Sequence, residues 1–238
     1  MTTKNKWNKL ISNYWKEKLQ NSQILNSLNN DLKEDWNNLS LNFMDDFLKS
    51  YYNRITCEEV AAIYFKFWLD LKNIKGNSTN FVGFSEFLIL RCVLHLINEE
   101  YFPLEKIKCN PKTQDVGNFS FGDKGIIVTT ESIPKDFWDV DRRRPDIVIF
   151  REKPLNLIGI IQTKAFPASS AYVRKDLDFL KKLKNKNMHQ GHANGLVIIF
   201  SRAYNLKEDE MICSLWNKTE SISKILRNRL GLDMLKQQ

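Results

Sequence analysis

No stretch of this 238-residue chain is both long and apolar enough to cross a bilayer. The best run, residues 87–97, is broken by Arg91 and His95 and falls short of the ~20 residues a spanning helix needs. The opening Met1-Thr2-Thr3-Lys4-Asn5-Lys6-Trp7 has no apolar signal core, so a cytoplasmic chain with no membrane partner is expected. Cysteine is scarce and scattered. Cys57, Cys92, Cys109 and Cys213 form no C-x-x-C pair, which argues against a disulfide framework or a four-cysteine zinc site. The chain also lacks G-x-x-x-x-G-K-[ST], G-x-G-x-x-G and G-x-S-x-G. Nucleotide-driven motors, dinucleotide enzymes and serine hydrolases of the elbow type are therefore unsupported, and no nucleotide cofactor is expected. Histidine is rarer still. His189 and His192 stand in a lysine-rich segment without a neighbouring cysteine or carboxylate, a poor zinc site that reads as a surface loop. His95 lies in an apolar helical run and reads as a hydrogen-bonded core residue.

Apolar residues make up 42% of the chain, and 15 Phe, 7 Tyr and 6 Trp can fill a sizeable core, which argues against a disordered chain. The formal net charge is +8, unevenly placed. It is +2 over residues 1–75, −2 over 76–150 and +8 over 151–238. An acidic middle beside a basic last third suits a polyanion held near a cation, and also suits a solvated lysine-rich surface.

The first ~75 residues show helical periodicity. Trp7, Leu10, Ile11, Tyr14, Trp15 and Leu19 recur at threes and fours, and Leu39, Phe43, Phe47 and Tyr51 at fours. Thr56 with Glu59 has the spacing of a capping box opening a helix over residues 60–72. Trp7, Trp15 and Trp36 read as core of this region. Gly76-Asn77-Ser78-Thr79-Asn80 is the clearest break, dividing an N-terminal helical region, 1–75, from a core, 76–238. The helical region would recognise a target or make a dimer. Beyond the break come a buried helix over 85–98 and strand-like segments at 107–109, 124–130, 145–150 and 157–164. An amphipathic helix over 172–183 follows, with Val173, Leu177, Leu180 and Leu183 on one side; then a buried strand at 195–200 and a helix over 211–230. This order predicts an α/β fold, a mixed β-sheet flanked by helices.

The chemistry-bearing stretch is Arg144-Pro145-Asp146-Ile147-Val148-Ile149-Phe150, followed by Ile160-Ile161-Gln162-Thr163-Lys164. As an antiparallel hairpin in which paired residue numbers total 308, Val148 faces Ile160, Phe150 faces Ile158 and Asp146 faces Gln162. Lys164 joins the same face two residues on, while Ile147, Ile149 and Ile161 face a core on the other. A carboxylate, an amide oxygen and an ammonium then meet at one end of the sheet. Phosphodiester hydrolysis uses such a set: hard oxygens for Mg²⁺, and a lysine to orient water or steady charge on phosphate. A second acid is needed, and Glu86, expected in the first turn of an otherwise apolar helix, is the candidate. Plainer readings stay open. Asp146 could cap a strand or pair with Arg142, Arg143 or Arg144; Gln162 and Lys164 could be polar residues emerging from a buried strand. Arg142, Arg143 and Arg144, with Arg174, Lys175, Lys181, Lys182, Lys184 and Lys186, could grip backbone phosphates or simply be solvated.

These residues resemble the PD-(D/E)XK nuclease superfamily, in the restriction-endonuclease-like sense. Glu86 matches its helical acid, Pro145-Asp146 its first half-motif, and Gln162-Thr163-Lys164 its second, with glutamine replacing the acid. The resemblance covers residues 84–202. It implies a metal-dependent DNA endonuclease of restriction or defence type. Asp146, Gln162 and Glu86 would hold Mg²⁺, for which Mn²⁺ can substitute, and Lys164 would be catalytic. DNA is the implied partner, RNA stays open, and a homodimer would suit double-strand cutting. Glutamine ligates as a neutral oxygen and removes one charge from the metal, for which Asp141 or Glu131 could compensate. The other reading is an inactive nuclease-fold module that binds nucleic acid or protein.

Overall fold

A computed structural model describes residues 21–34, 41–75, 82–97, 107–109, 119–121, 126–130, 145–151, 154–165, 170–186, 194–201 and 210–232. Six helices and seven strands occur among them. The helical segment expected over residues 7–19, and Leu39, Glu131, Asp141, Arg142, Arg143, Arg144, His189 and His192, lie outside the described residues.

Three helices come first: α1 (Gln23–Glu34), α2 (Leu41–Tyr51) and α3 (Cys57–Lys75). The capping box at Thr56 forms. Glu59 N–H donates to Thr56 Oγ1 at 3.2 Å, and Glu59 Oε2 accepts from Thr56 N–H at 2.8 Å and from its hydroxyl at 3.0 Å. The other Glu59 oxygen accepts from the Ser22 hydroxyl, and Ser22 Oγ accepts from Leu25 N–H at the start of α1. One buried carboxylate therefore serves two helix N-termini, which accounts for an acid at 8% exposure. Helix α4 (Val82–Leu96) is tied to α2 through Asp45, which accepts a forked pair of hydrogen bonds from Arg91 and lies 2.8 Å from His95 Nε2. His95 is thus a buried, hydrogen-bonded residue, as its apolar setting predicts.

The sheet runs in chain order: β1 (Ile107–Cys109), β2 (Phe119–Phe121), β3 (Ile126–Thr130), β4 (Ile147–Arg151), β5 (Asn156–Lys164), β6 (Asn194–Ile199) and β7 (Ile212–Ser214). Strands β1 to β5 form an antiparallel meander, whereas β5, β6 and β7 are parallel. The β5-to-β6 step needs a crossover, and α5 (Ser170–Lys186) supplies it. Helix α6 (Ile222–Leu230) closes the described chain.

The two sheet faces bury different sets. Ile147, Ile149, Ile161, Leu196 and Ile198 share a core with α4, α6 and the buried residues of α1–α3. Val148, Phe150, Ile160, Val197 and Ile199 pack with Val173, Leu177, Leu180 and Leu183 of α5. Backbone bonds also join the start of α3 to the segment between β7 and α6: Cys57 N–H to Glu220 O, Glu58 N–H to Lys218 O, and Ile222 N–H to Ile55 O. An α/β architecture with a mixed sheet is therefore present, and α1–α3 share its core.

Three expectations need correction. The hairpin register holds at Ile147↔Ile161, Val148↔Ile160 and Ile149↔Gly159, but Phe150 pairs with Leu157 rather than Ile158. A bulge inserts Ile158, which turns into the core of the α4 side, where Gly159 lets Leu230 of α6 approach; a Cβ there would lie 3.1 Å from Leu230 Cδ2. The segment 211–230 is not one helix. Ile212–Ser214 completes the parallel ladder, Asn217 takes a positive φ of 56°, and Ser221 caps a helix starting only at Ile222. Lastly, α4 begins at Val82, three residues earlier than expected, so its first turn holds no acid and Glu86 stands beyond it.

Candidate active site at the ends of β4 and β5

Alternation along β4 and β5 sends Val148 and Ile160 toward α5, and carries Asp146 and Gln162 to that same face at the strand ends. Asp146 occupies a bend immediately before β4. The outer end of the Gln162 amide is 3.0 Å from Asp146 Oδ1 and 3.2 Å from Oδ2. Asp146 Oδ2 also accepts from Thr163 N–H at 2.6 Å and from the Thr163 hydroxyl at 3.1 Å. Lys164, the last residue of β5, reaches Asp176 Oδ2 of α5 at 3.0 Å. Gln162, Thr163 and Asp176 are buried, and Asp146 and Lys164 are half-buried. Five polar side chains, from the bend before β4, from β5 and from α5, thus meet where the apolar layer between sheet and α5 ends.

Electrostatics follow from this geometry. Burial pushes the Asp146 carboxyl above the ordinary carboxylate range, and the charge of Asp176 adds to the rise. The Thr163 hydrogen bonds and the Lys164 ammonium act the other way without overcoming it. An acid held this way favours either a proton or a second cation beside it.

Gln162 can answer that demand in two ways. With its amide nitrogen turned to Asp146 it donates to both carboxylate oxygens, and the pair is satisfied by itself. With its carbonyl oxygen turned there, amide and carboxylate oxygens lie 3.0 Å apart. That spacing is the edge of an octahedron with bonds of ~2.1 Å, the geometry Mg²⁺ demands. That spacing would suit a cation between the two oxygens; without one the carbonyl faces only acceptors, and turning the amide satisfies both of its ends. No group of three or more His, Cys, Asp or Glu placed to hold a metal occurs among the described residues.

Of the residues picked out in the sequence, Asp146, Gln162 and Lys164 come together. Glu86 is half-buried on α4, whose buried side chains belong to the opposite face of the sheet; the charges acting on Asp146 are those of Lys164 and Asp176. Arg174, Lys175, Lys181 and Lys182 are exposed on α5, on the helix that carries Asp176. Asp176 and Thr163 were missed. Asp176 had a readable signal, an acid at helical spacing inside the stripe Val173, Leu177, Leu180, Leu183. Thr163 had none, because its main contribution is a backbone N–H. Comparison of the chain with protein-family models, with characterised proteins and with solved structures finds no match.

Proposed function

We propose that this chain is a metal-dependent phosphodiesterase acting on DNA, a restriction-endonuclease-like nuclease of restriction or defence type. The observation that carries the reading is the meeting of Asp146 and Gln162 beside Lys164 on one face of a β4–β5 hairpin. Asp146 and the Gln162 carbonyl would hold Mg²⁺, which polarises a phosphate and supplies a water acidic enough to attack it. Glu86 is the ligand proposed from α4; with α4 packed on the other face of the sheet, it would reach the ion only past the ends of β4 and β5. Lys164 presents a positive charge to the phosphate, and Asp176 fixes the position of its Nζ. Thr163 holds the Asp146 carboxylate against rotation through two hydrogen bonds to one oxygen. A homodimer would place two such sites, one for each strand of a locally opened duplex.

A second reading is favoured by one specific observation. When the Gln162 amide donates to Asp146, and Lys164 pairs with Asp176, the cluster needs no cation. That arrangement suits a nuclease-fold module that binds nucleic acid without cutting it. The deciding experiment incubates purified protein with single-stranded, plasmid and linear duplex DNA in Mg²⁺, Mn²⁺ or chelator. The nuclease reading expects nicking or cutting only with cation, loss of at least ~10²-fold in Asp146→Asn and Lys164→Ala, and a matching loss in Glu86→Gln if that acid is a ligand. Salt-sensitive binding without turnover in any cation would establish the second reading instead. Full cleavage by both Asp146→Asn and Lys164→Ala would remove the site assignment.

A further inference from the structure

Helix α5 carries a feature that the cluster around Asp146 does not use. Tyr172, Asp176, Phe179 and Leu183 recur at i, i+4, i+7 and i+11, one stripe of a helix. Asp176, Phe179 and Leu183 are buried at 9%, 3% and 2%, yet Tyr172, on the same stripe, is 58% exposed. It is the one exposed large hydrophobic side chain among the described residues. The topology explains this. Because β5 and β6 are parallel, α5 must run back along the sheet, starting at the end where β5 finishes. Asp176 already stands beside Lys164, the last residue of β5. Tyr172, one turn or ~6 Å earlier, projects past the strand ends at the mouth of the cluster.

One cation stands over that ring, and others line the same helix. Lys175 Nζ is 5.9 Å from the Tyr172 ring centroid. Arg174, Lys175, Lys181 and Lys182 are all exposed, with Asp178 the sole acid on the exposed side of this helix. At ~3.6 residues per turn, Lys175 and Lys182, seven residues and about 10 Å apart, lie on the flank next to the Tyr172 stripe, whereas Arg174 and Lys181 lie on the opposite side of α5. An exposed aromatic ring leading into a cationic track is the arrangement that holds an unpaired nucleic-acid strand, with a base on the ring and phosphates on the cations. A duplex cannot use the ring, because its bases are already stacked on one another.

We propose that Tyr172 is a base-stacking platform and the flank of α5 bearing Lys175 and Lys182 a phosphate track, so that the cluster receives single-stranded DNA. The substrate role rests on the phosphodiesterase reading; the binding surface does not. The test uses the full chain in chelator, where no cleavage occurs. Fluorescence anisotropy reads its binding to a labelled deoxyribo-oligonucleotide, single-stranded or annealed to its complement, and to the ribo-oligonucleotide of the same sequence. Wild type should bind the single DNA strand more tightly than the duplex. Tyr172→Ala should weaken single-strand binding about tenfold and leave duplex binding unchanged, while Tyr172→Trp keeps it. A 2-aminopurine in the strand should be quenched by wild type and not by Tyr172→Ala. The double variant Lys175→Glu/Lys182→Glu should weaken every form and flatten the salt dependence. Single-strand binding by Tyr172→Ala equal to wild type, a wild-type preference for duplex, or no measurable strand binding at low salt overturns the proposal, and tighter binding of the ribo-oligonucleotide overturns its DNA assignment. Loss of strand binding in Tyr172→Ala by a protein that never cleaves would leave this surface standing and remove the nuclease reading; Asp146-dependent cleavage with unaltered binding by Tyr172→Ala would do the reverse.

Discussion

Replacing Gln162 by glutamate puts the geometry of the cluster under the most direct load. The amide end lies 3.0 and 3.2 Å from the two Asp146 oxygens, so Gln162→Glu sets a second carboxylate against one whose acid form burial already favours. Two full charges about 4 Å apart repel by roughly 4 kcal/mol at the effective dielectric of a protein site. The pair avoids part of this by keeping one proton between them. The folded pair then binds more protons than the unfolded one, so stability falls as pH rises through its folded pKa and is regained at lower pH. In chelator, urea unfolding followed by tryptophan fluorescence should show Gln162→Glu less stable than wild type by about 2–4 kcal/mol near pH 8, narrowing to about 1 kcal/mol or less near pH 5. Excess Mg²⁺ should restore stability at the higher pH, because a cation offsets the repulsion and binds only the folded form. Equal stability of the two proteins near pH 8 in chelator, with no pH-dependent gap, would refute the convergence of these side chains.

Other parts of the fold give independent checks. Burial alone would raise the Asp45 carboxyl, but the hydrogen bonds from His95 and Arg91 hold it down at about 2. Its contribution is therefore present above about pH 4 and lost as pH falls toward 2. After allowance for its partial exposure this amounts to roughly 1–2 kcal/mol, and Asp45→Asn should lower the urea midpoint near neutrality while shrinking the wild-type gap at low pH. Thr56→Ala removes the N-cap of α3 and one partner of Glu59, and should cost about 1–2 kcal/mol in the same assay; Thr56→Ser should recover most of it. Cys57, Cys92 and Cys213 are fully or almost fully buried, and burial pushes the Cys92 thiol up to about 12. A thiol-specific chromogenic reagent should leave all three untouched in native buffer and label them in urea.

The parts of the fold legible in the sequence are those set by local chemistry. The Thr56–Glu59 spacing, the α5 stripe and the runs of β-branched residues in β4 and β5 each depend on residues within one turn or one hairpin, and the 147–149 register follows from them. The bulge did not show because Leu157 and Ile158 are both apolar, so either can face either layer. Strand β7 was hidden because Ile212-Cys213-Ser214 is too short to declare a period; a parallel neighbour, β6, makes it a strand. At the cluster, Asp146, Gln162 and Lys164 were readable because a hairpin fixes which residues share a face. Asp176 arrives from a crossover helix, a tertiary placement that local pattern does not encode. Glu86 illustrates the converse: an acid in an apolar helix draws notice, but only the packing of α4 on the other face of the sheet shows where that helix lies. The uneven charge also gains a location, since four exposed cations of the basic last third stand on α5, the helix that carries Asp176.

The central claim is that Asp146 and the Gln162 carbonyl form a cation site, and a crystal structure of the protein soaked in Mn²⁺, with anomalous scattering recorded, tests it most directly. The account predicts an anomalous peak about 2.1–2.2 Å from an Asp146 oxygen and from Gln162 Oε1, with the amide nitrogen turned away and Lys164 still within reach of Asp176. Ordered side chains with the Gln162 nitrogen donating to Asp146, and no peak between them at saturating Mn²⁺, would contradict it.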